Sequence, residues 1–363
     1  MLCHSSTPFV GRAMIREAIG KVVGGSDLTE AEAAQVMGEI MDGEATPAQI
    51  ASLITAMHMK GETVDEVTGF ARTMREKSVK IPTKRQADLV DTCGTGGDRL
   101  NTFNISTAAA FVVAGAGVPV AKHGNRAMSS KCGSADVLEA LGVNIALTPE
   151  QVGRCIDEVG IGFMFAPAHH PSMKHAVGPR KEIGIRTVFN ILGPLTNPAG
   201  ARCQLIGVCE PHLTELMAGV LKELGSERAM VAHGVDGIDE LSTLGKTKIT
   251  ELQDGKLETF EISPQDVGLQ AACKEDLSQG EDPMDSARIL EEVLKGSPGP
   301  ARDIVVLNAG GALKAAGEAG SFQEGIALAI DSIDGGKALA ALEGLRKLSR
   351  ELAEAGGPAG GGS

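Results

Sequence analysis

The first eighty residues combine polar helix-start signals with apolar residues at helical spacing. Three capping-box patterns, in which a threonine is followed three positions later by Glu or Gln, begin at Thr29, Thr46 and Thr63. Apolar residues follow at intervals of three and four, most clearly Ile50, Leu53, Ile54 and Met57. Gly61 then ends that pattern. Residues 1–80 are therefore predicted to form a small all-helical domain.

From Leu89 onward, short apolar runs alternate with helical segments. Strand-like runs occupy residues 88–93, 118–122, 162–165, 204–209 and 228–233. The helices between them include residues 149–159 and 212–224. This alternation predicts a larger α/β domain over residues 81–355, with a mainly parallel central sheet and a helical C-terminal region. The glycine-rich residues 356–363 are expected to be a disordered tail.

Composition narrows the classes of protein that this chain can represent. Its 363 residues are enough for two domains, and its net charge of −13 disfavours nucleic acid or an anionic membrane as a partner. The longest apolar run, residues 108–121, is interrupted by glycine and too short to span a bilayer, and no signal-peptide pattern is present. Seven cysteines without a C-x-x-C pair indicate a reduced, cytoplasmic protein.

Two glycine-rich loops follow apolar runs within forty residues of each other. They read Asp91-Thr92-Cys93-Gly94-Thr95-Gly96-Gly97-Asp98 and Lys122-His123-Gly124-Asn125-Arg126. Glycines allow backbone N–H groups to converge on an anion, and the second loop adds positive charge. Between the loops, Ser106 or Thr107 is expected to cap an apolar helix whose start also attracts anions. A tight turn without a ligand is the alternative for any single loop, but together these features favour a phosphate site.

The identity of the phosphate ligand is restricted by spacing and by charge. A dinucleotide fingerprint would need a third glycine where Arg99 stands, and a P-loop would end in Gly-Lys-Ser/Thr rather than Gly-Gly-Asp. The predicted ligand is thus a phosphorylated compound that is neither an ordinary NAD nor an NTP. An acidic chain must gather its cations locally to bind it, and the candidates are Lys122, Arg126, Lys131, Arg180, Lys181 and Arg186.

These loops and several later segments resemble the signature of the anthranilate phosphoribosyltransferases. Besides the two loops, the matching runs include Asn104-Ile105-Ser106-Thr107, Gly133-Ser134-Ala135-Asp136, Arg180-Lys181-Glu182-Ile183-Gly184 and Asp236-Gly237-Ile238-Asp239-Glu240. They occur in the family's order over nearly the whole chain. The resemblance implies transfer of the 5-phosphoribosyl group of 5-phosphoribosyl 1-diphosphate to the amino group of anthranilate. It also implies Mg²⁺ as cofactor, no nucleophilic side chain, and a homodimer joined through the helical domain.

The resemblance also assigns individual residues to each ligand. The residues implied for phosphoribosyl diphosphate are Gly94, Gly97, Asp98, Thr102, Asn104, Ile105, Ser106, Thr107, Lys122, Ser130 and Ser134. Those implied for anthranilate are Gly94, Asn125 and Arg180, and those implied for Mg²⁺ are Ser106, Asp239 and Glu240. Oxygen ligands with one or two carboxylates suit Mg²⁺, and an arginine can hold a carboxylate with two hydrogen bonds. An adjacent Asp-Glu pair on its own would more often be a solvated acidic turn.

Some alternatives stay open at the level of sequence. His123 either transfers a proton or forms a hydrogen-bonding wall of the site. A pyrimidine-nucleoside phosphorylase, a noncatalytic phosphoribosyl-ligand sensor and a Rossmann oxidoreductase are less favoured alternatives for the whole protein. Two positions depart from the family pattern: Arg99 replaces a usual glycine, and Cys132 replaces a common serine. Both lie beside the donor loop, so they affect the expected affinity and rate more than the reaction type.

Overall fold

The computed structural model describes residues 14–97, 100–127, 132–280 and 282–355. The strands within these ranges are β1 (Val90–Gly94), β2 (Val120–Gly124), β3 (Ile161–Phe165), β4 (Cys203–Gly207), β5 (Arg228–Gly234), β6 (Thr247–Gln253) and β7 (Lys256–Ile262). The α-helices are α1 (Met14–Val23), α2 (Glu30–Asp42), α3 (Pro47–Lys60), α4 (Val64–Lys77), α5 (Ile105–Gly115), α6 (Ser134–Ala140), α7 (Pro149–Val159), α8 (Ala166–His169), α9 (Lys174–Ile183), α10 (Phe189–Leu195), α11 (Leu213–Glu223), α12 (Pro283–Leu294), α13 (Pro300–Ala315), α14 (Phe322–Asp334) and α15 (Lys337–Ala355).

The N-terminal helices start at the predicted capping boxes. The side chains of Thr29 and Thr46 each accept a hydrogen bond from the backbone N–H three residues later. In return, the side chains of Glu32 and Gln49 accept from the backbone N–H groups of these threonines. Thr63 and Glu66 make the same reciprocal pair at the start of α4. Pro47 occupies the first helical position of α3, and at its C-terminal end the Gly61 N–H donates to the Met57 carbonyl.

The chain folds into two compact units, and each unit is built from two separate stretches of the sequence. One unit contains the helices up to residue 77 together with residues 171–192, and the other contains residues 78–170 and those from 193 onward. The predicted boundaries place residues 171–192 in the α/β domain, whereas this segment packs with the N-terminal helices: α9 contacts α2 and α3. The division at residue 80 and the dimerisation role of the helical domain stay predictions.

The second unit is built on a seven-stranded sheet in the order β3-β2-β1-β4-β5-β6-β7. The first five strands pair in parallel, and all five were predicted from their apolar runs. The pairs β5 with β6 and β6 with β7 are antiparallel. The predicted fold class, a small helical domain followed by an α/β domain with a mainly parallel sheet, is confirmed.

The antiparallel strands β6 and β7 were not predicted. They form a hairpin whose turn contains Asp254 and Gly255, both with positive φ. Asp-Gly between two extended runs is a strong hairpin signal. The edge strand β7 is largely exposed and rich in charged residues, so it lacks the apolar run that marks the five buried strands.

The core of the second unit lies between the sheet and the C-terminal helices. Nine of the eleven residues of α5 are buried, because this helix contacts β1 on one side and α13 and α15 on the other. The start of α5 is thereby fixed next to the end of β1.

A search of the described helices for an apolar segment of membrane-spanning length found none.

Candidate active site

The strand order creates a ligand crevice at the carboxyl ends of β1 and β4. From β1 the chain proceeds outward through β2 and β3, then returns to β4 on the other side of β1. Neighbouring strands whose connections lead in opposite directions leave a crevice at their carboxyl ends, where open α/β sheets bind ligands. The last residues of these two strands are the register partners Gly94 and Gly207.

Both terminal glycines are needed because the acidic loop crosses directly over them. A Cβ on Gly94 would lie 2.8 Å from Asp239 Oδ2, and a Cβ on Gly207 would overlap the Asp239 carbonyl. The N–H of Gly96 donates to Asp239 Oδ2 at 2.7 Å. The structure therefore brings the glycine-rich loop after β1 into contact with the predicted metal-binding carboxylate, although 143 residues separate them in sequence.

The acidic loop, residues 235–246, is held by its own side chains. Asp236 accepts from the Ile238 N–H at 3.1 Å and from Ser242 Oγ at 2.6 Å. The Ser242 N–H in turn donates to Thr247 Oγ1 at 2.9 Å. These bonds fix the loop on either side of Asp239 and Glu240, which are both half-buried. The pair is thus part of an ordered loop rather than a fully solvated acidic turn.

The start of α5 is the second part of the crevice. The helix begins at Ile105 with Asn104 as its N-cap, so the expectation that Ser106 or Thr107 caps it is wrong: both lie inside the first turn. Asn104 makes no capping bond with its side chain and instead donates from Nδ2 to the Cys132 carbonyl at 3.2 Å. Thr92 Oγ1 donates to the Ser106 carbonyl at 3.0 Å, which ties this turn to β1.

A buried lysine connects β1, β2 and α5. Lys122 is 2% exposed; its Nζ donates to the Thr92 carbonyl and, at 3.3 Å, to Ser106 Oγ. Burial lowers the pKa of Lys122, while the negative charges of Asp91 and Glu240 oppose that shift. Lys122 therefore links two other predicted ligand residues: it is hydrogen-bonded to Ser106, and the charge of Glu240 acts on it.

Asp91 supports this lysine and was not among the predicted site residues. It is fully buried and accepts from the His123 N–H at 3.2 Å and from Asn197 Nδ2 at 2.8 Å. Burial raises the pKa of Asp91, and Lys122 opposes that shift. Only its position as a carboxylate inside a buried strand, three residues before Gly94, could have indicated it.

The loop after β2 contains the predicted anthranilate residue Asn125. Its carbonyl accepts from Ser134 Oγ at 3.3 Å and from the Ala135 N–H at 3.2 Å, so the predicted residues Asn125 and Ser134 are in contact. Arg126, a candidate cation for the phosphate, instead pairs with Asp136 and Glu139, and these bonds raise its pKa. Arg126 therefore ties the loop to α6, and its contact with a phosphate stays a prediction.

His123 is a neutral, buried side chain. Its Nδ1 lies 3.1 Å from the Gly193 carbonyl, which assigns the proton to Nδ1, and its ring packs 5.2 Å from that of His170. Burial and the neighbouring His170 lower the pKa of His123 to about 3. Within the described part of the chain its buried Nε2 has no hydrogen-bond partner. A group with this pKa is a weak base at neutral pH, which favours the hydrogen-bonding wall over proton transfer.

Several predicted residues belong to other parts of the structure or fall outside the described residues. Arg180 belongs to the first unit, where it stacks over Phe189 at 5.2 Å and where burial lowers its pKa. Lys181 and Arg186 belong to the same unit. Thr102 forms an antiparallel bridge with Ser278, and the buried Ile105 and Thr107 belong to the first turn of α5. Asp98, Arg99, Ser130 and Lys131 fall outside the described residues, as does the predicted tail at 356–363.

Two further residues that hold the crevice come from the C-terminal helices. Ser286 of α12 accepts from the Asn104 N–H at 3.3 Å, and Asn308 of α13 bonds to the backbone of Leu241. Both are fully buried. Sequence analysis missed them because each acts on a loop that is distant in the chain, and nothing in the surrounding residues marks them.

The chain combines an α/β unit, with a crevice at the switch point of its sheet, and a helical unit, and both match glycosyl transferase families. The family model for the glycosyl transferase a/b domain matches residues 86–339, and that for the glycosyl transferase helical bundle domain matches residues 16–78. The anthranilate phosphoribosyltransferase of Moorella thermoacetica is 58% identical over 332 residues, which are 92% of this chain and 97% of that protein. The chain belongs to the anthranilate phosphoribosyltransferase family.

Solved structures show the same similarity in three dimensions. The crystal structure of anthranilate phosphoribosyltransferase from Thermus thermophilus is 44% identical, with a TM-score of 0.87 over 92% of this chain and 99% of that one. The anthranilate phosphoribosyltransferase from Saccharomyces cerevisiae in complex with PRPP and Mg is 27% identical, with a TM-score of 0.84 over 94% of this chain and 99% of that one.

Proposed function

We infer that this chain transfers the 5-phosphoribosyl group of 5-phosphoribosyl 1-diphosphate to the amino group of anthranilate and releases pyrophosphate, a step of tryptophan biosynthesis. One observation of the structure carries this inference: the glycine ends of β1 and β4 pack against Asp239 at the switch point of the sheet. That contact joins an anion-binding backbone to a carboxylate pair. A diphosphate that binds through a divalent cation needs this combination.

Mg²⁺ is the cofactor of this reaction, and the chemistry of the site fits it. Mg²⁺ is usually held by one or two carboxylates, with substrate phosphates and waters supplying the other ligands. Asp239 and Glu240 with the hydroxyl of Ser106 form an oxygen donor set of this kind. Among the described residues there is no cluster of three His, Cys, Asp or Glu side chains that would form a closed metal site. When bound, the ion would screen the charge of the departing diphosphate.

The donor binds, in this proposal, along the glycine-rich loop and the start of α5. Gly96 and Gly97 have φ values of 65° and 91°, a backbone conformation that glycine adopts readily. The N–H groups at the start of α5 and the ammonium of Lys122 supply positive charge. The implied donor residues Gly94, Gly97, Thr102, Asn104, Ile105, Ser106, Thr107 and Ser134, with Asp98 and Ser130 outside the description, remain proposals.

Anthranilate binds through its carboxylate, and Arg180 with Asn125 and Gly94 is proposed to recognise it. Arg180 is half-buried against Phe189, a setting in which a guanidinium is poorly hydrated and gains most from a carboxylate partner. His123 is proposed to line the site in its neutral form. Because the displacement needs an aligned amine and a stabilised leaving group, the protein acts mainly through position and charge.

The oligomeric state and location are also proposals. The apolar residues Ile50, Ile54 and Met57 of α3 are buried in the single chain, so they are not available for an interface between two copies. Other apolar side chains of the first unit are exposed: Val23 (70%), Met59 (81%) and Val177 (54%). We propose that they contribute to a homodimer, which light scattering at micromolar concentration would test. A monomer mass would contradict it.

The buried free thiols Cys93, Cys132, Cys155 and Cys203 support a cytoplasmic location.

The reaction is tested with the purified protein, Mg²⁺ and phosphoribosyl diphosphate. Anthranilate fluorescence should fall while pyrophosphate appears in equal amount. Omission of either the donor or Mg²⁺ is the control and should stop both changes. Persistent anthranilate fluorescence together with phosphorolysis of uridine or thymidine would instead identify a pyrimidine-nucleoside phosphorylase, and absence of any turnover would favour the noncatalytic sensor.

A further inference from the structure

Asn308 is a fully buried polar residue in the middle of α13 that bonds to the acidic loop. Its Oδ1 accepts from the Leu241 N–H at 3.0 Å, and its Nδ2 donates to the Leu241 carbonyl at 2.9 Å. The same Nδ2 also donates to the Ile304 carbonyl of its own helix at 2.9 Å. Both backbone groups of Leu241 are therefore bonded to one side chain, whose orientation the third bond fixes.

Leu241 directly follows Glu240, so this contact fixes the end of the acidic pair. The Leu241 side chain is also fully buried, and a Cβ on Gly311 would overlap it. Asn308 and Gly311 lie three residues apart and therefore on one face of α13. One binds the Leu241 backbone and the other leaves room for its side chain. The anchor is distinct from the bonds of Asp236 and Ser242, which lie within the loop.

We propose that Asn308 is a positioning residue, which holds the backbone of Leu241 so that Asp239 and Glu240 are prearranged for Mg²⁺ before the ion binds. The inference rests on the proposed function of the acidic pair. Its physical reason is that buried backbone groups need partners, and that a loop fixed in the metal-free protein loses less conformational entropy on binding. Residues that orient metal ligands typically change metal affinity by 10- to 100-fold when they are replaced.

Asn308→Leu tests the proposal, because it keeps the approximate shape of the side chain and removes all three bonds. We expect the Mg²⁺ concentration for half-maximal activity to rise at least about tenfold, while kcat at saturating Mg²⁺ falls by no more than about threefold. A fall in kcat at every Mg²⁺ concentration, with an unchanged Mg²⁺ requirement, would overturn the positioning role.

Amide hydrogen exchange of the metal-free protein gives a readout that does not depend on turnover. In Asn308→Leu, the peptide covering residues 236–246 should exchange at least about tenfold faster than in the wild type, because the Leu241 N–H loses its acceptor. Unchanged exchange would contradict the proposal. This measurement also separates the two ideas: an inactive wild type would defeat the proposed function, whereas the exchange result would still decide whether Asn308 anchors the loop.

A matched control and a second variant complete the test. Ser332→Ala removes another fully buried hydrogen bond, from Ser332 Oγ to the Val112 carbonyl at 2.7 Å near the far end of α5, and should leave the Mg²⁺ requirement and the loop exchange unchanged. If Asn308→Leu does not fold, Asn308→Ser is the second variant: its short hydroxyl can still bond to the Ile304 carbonyl of its own helix but no longer bonds to Leu241, so it should raise the Mg²⁺ requirement in the same way. A normal Mg²⁺ requirement in a folded Asn308→Ser protein would overturn the proposal.

Discussion

The two loops that meet at the crevice are built in opposite ways. The loop after β1, Gly94 to Gly97 in its described part, consists largely of glycine, and its backbone N–H groups are the chemically useful atoms. The acidic loop after β5 is held by side-chain bonds to its backbone: Asp236 accepts from the Ile238 N–H, Ser242 accepts from the Leu244 N–H, and Asn308 bonds to Leu241. The first loop uses its backbone to pack against β4 and the acidic loop: the Thr95 N–H donates to the Gly207 carbonyl and the Gly96 N–H donates to Asp239 Oδ2. The second uses side chains to fix its backbone so that two carboxylates keep their position.

This difference shows what each kind of site requires from the sequence. An anion site made of backbone groups needs residues that allow unusual φ values, and such residues are visible as glycines. A preformed carboxylate site needs bonding partners, which here come from the loop itself and from α13. The acidic loop is therefore expected to be sensitive to changes far from it in sequence.

The largest expected effect comes from removing both carboxylates of the acidic loop. Asp239→Asn combined with Glu240→Gln should lower kcat by about 10³-fold, because several kcal/mol of charge stabilisation at the leaving diphosphate are lost with the ion. Steady-state kinetics at saturating Mg²⁺ measures this. Lys181→Met and Lys174→Met, at exposed positions of the first unit, are the controls and should change kcat far less. An unchanged kcat in the double variant would rule out the metal role.

Gly207→Ala tests the contact between the strand end and the acidic loop. The added Cβ would overlap the Asp239 carbonyl, so the loop must move away from β4. A misplacement of about 1 Å can cost roughly 100-fold in rate, and kcat/KM should fall by about that factor. Gly38→Ala in α2 is the matched control, since a Cβ there meets nothing within 4 Å. Near-normal kcat/KM in Gly207→Ala would show that the loop position is not critical.

The buried histidines His123 and His170 make stability depend on pH. Burial lowers their pKa values to about 3 and about 4, against an ordinary value of 6.5. Between pH 6.5 and 4 the unfolded chain binds more protons than the folded one, so the free energy of unfolding falls as pH falls. Two such groups contribute about 2 to 3 kcal/mol per pH unit below pH 6. Urea unfolding between pH 7 and 5 measures this, and His123→Gln should lower the slope by about 1 kcal/mol per pH unit. A constant stability over this range would contradict it.

The smallest effect is expected at Arg99, which replaces the family's usual glycine beside the donor loop. If the backbone at this position needs φ > 0, a non-glycine residue costs about 1 kcal/mol, so Arg99→Gly should leave kcat/KM for the donor equal or higher. Donor titrations of both proteins at low and high salt measure this. A tenfold or greater loss in Arg99→Gly, largest at low salt, would show that the arginine binds phosphate.

Sequence patterns predicted the parts of this protein whose signals are local. The capping boxes at Thr29, Thr46 and Thr63 depend on residues three positions apart, and the strands β1 to β5 fall on the short strand-like runs that alternate with helical segments. The strands β6 and β7 were missed because both alternate apolar with polar residues, and β7 is in addition the exposed edge strand. Their Asp254-Gly255 turn was nevertheless a readable signal.

The parts that depend on distant contacts were not predictable from local patterns. Residues 171–192 pack with helices that lie more than a hundred positions earlier in the chain. Arg126 forms ion pairs with Asp136 and Glu139, and neither the charge nor the spacing of these residues predicted the pairing. Asn308 and Leu241 lie 67 residues apart, and a buried asparagine in an apolar helix has no distinctive pattern. Motif residues show which chemistry to expect, whereas the residues that hold them in place become visible only in three dimensions.

In the proposed function, the glycine-rich loop and the acidic loop bind the two parts of one ligand, a diphosphate and its magnesium ion. Calorimetric titration of phosphoribosyl diphosphate into the protein, with and without Mg²⁺, measures how the ion contributes to donor binding. We expect Mg²⁺ to strengthen donor binding at least about tenfold in the wild type and to have no such effect in the Asp239→Asn, Glu240→Gln variant. Equal strengthening by Mg²⁺ in both proteins would show that the acidic loop does not hold the ion.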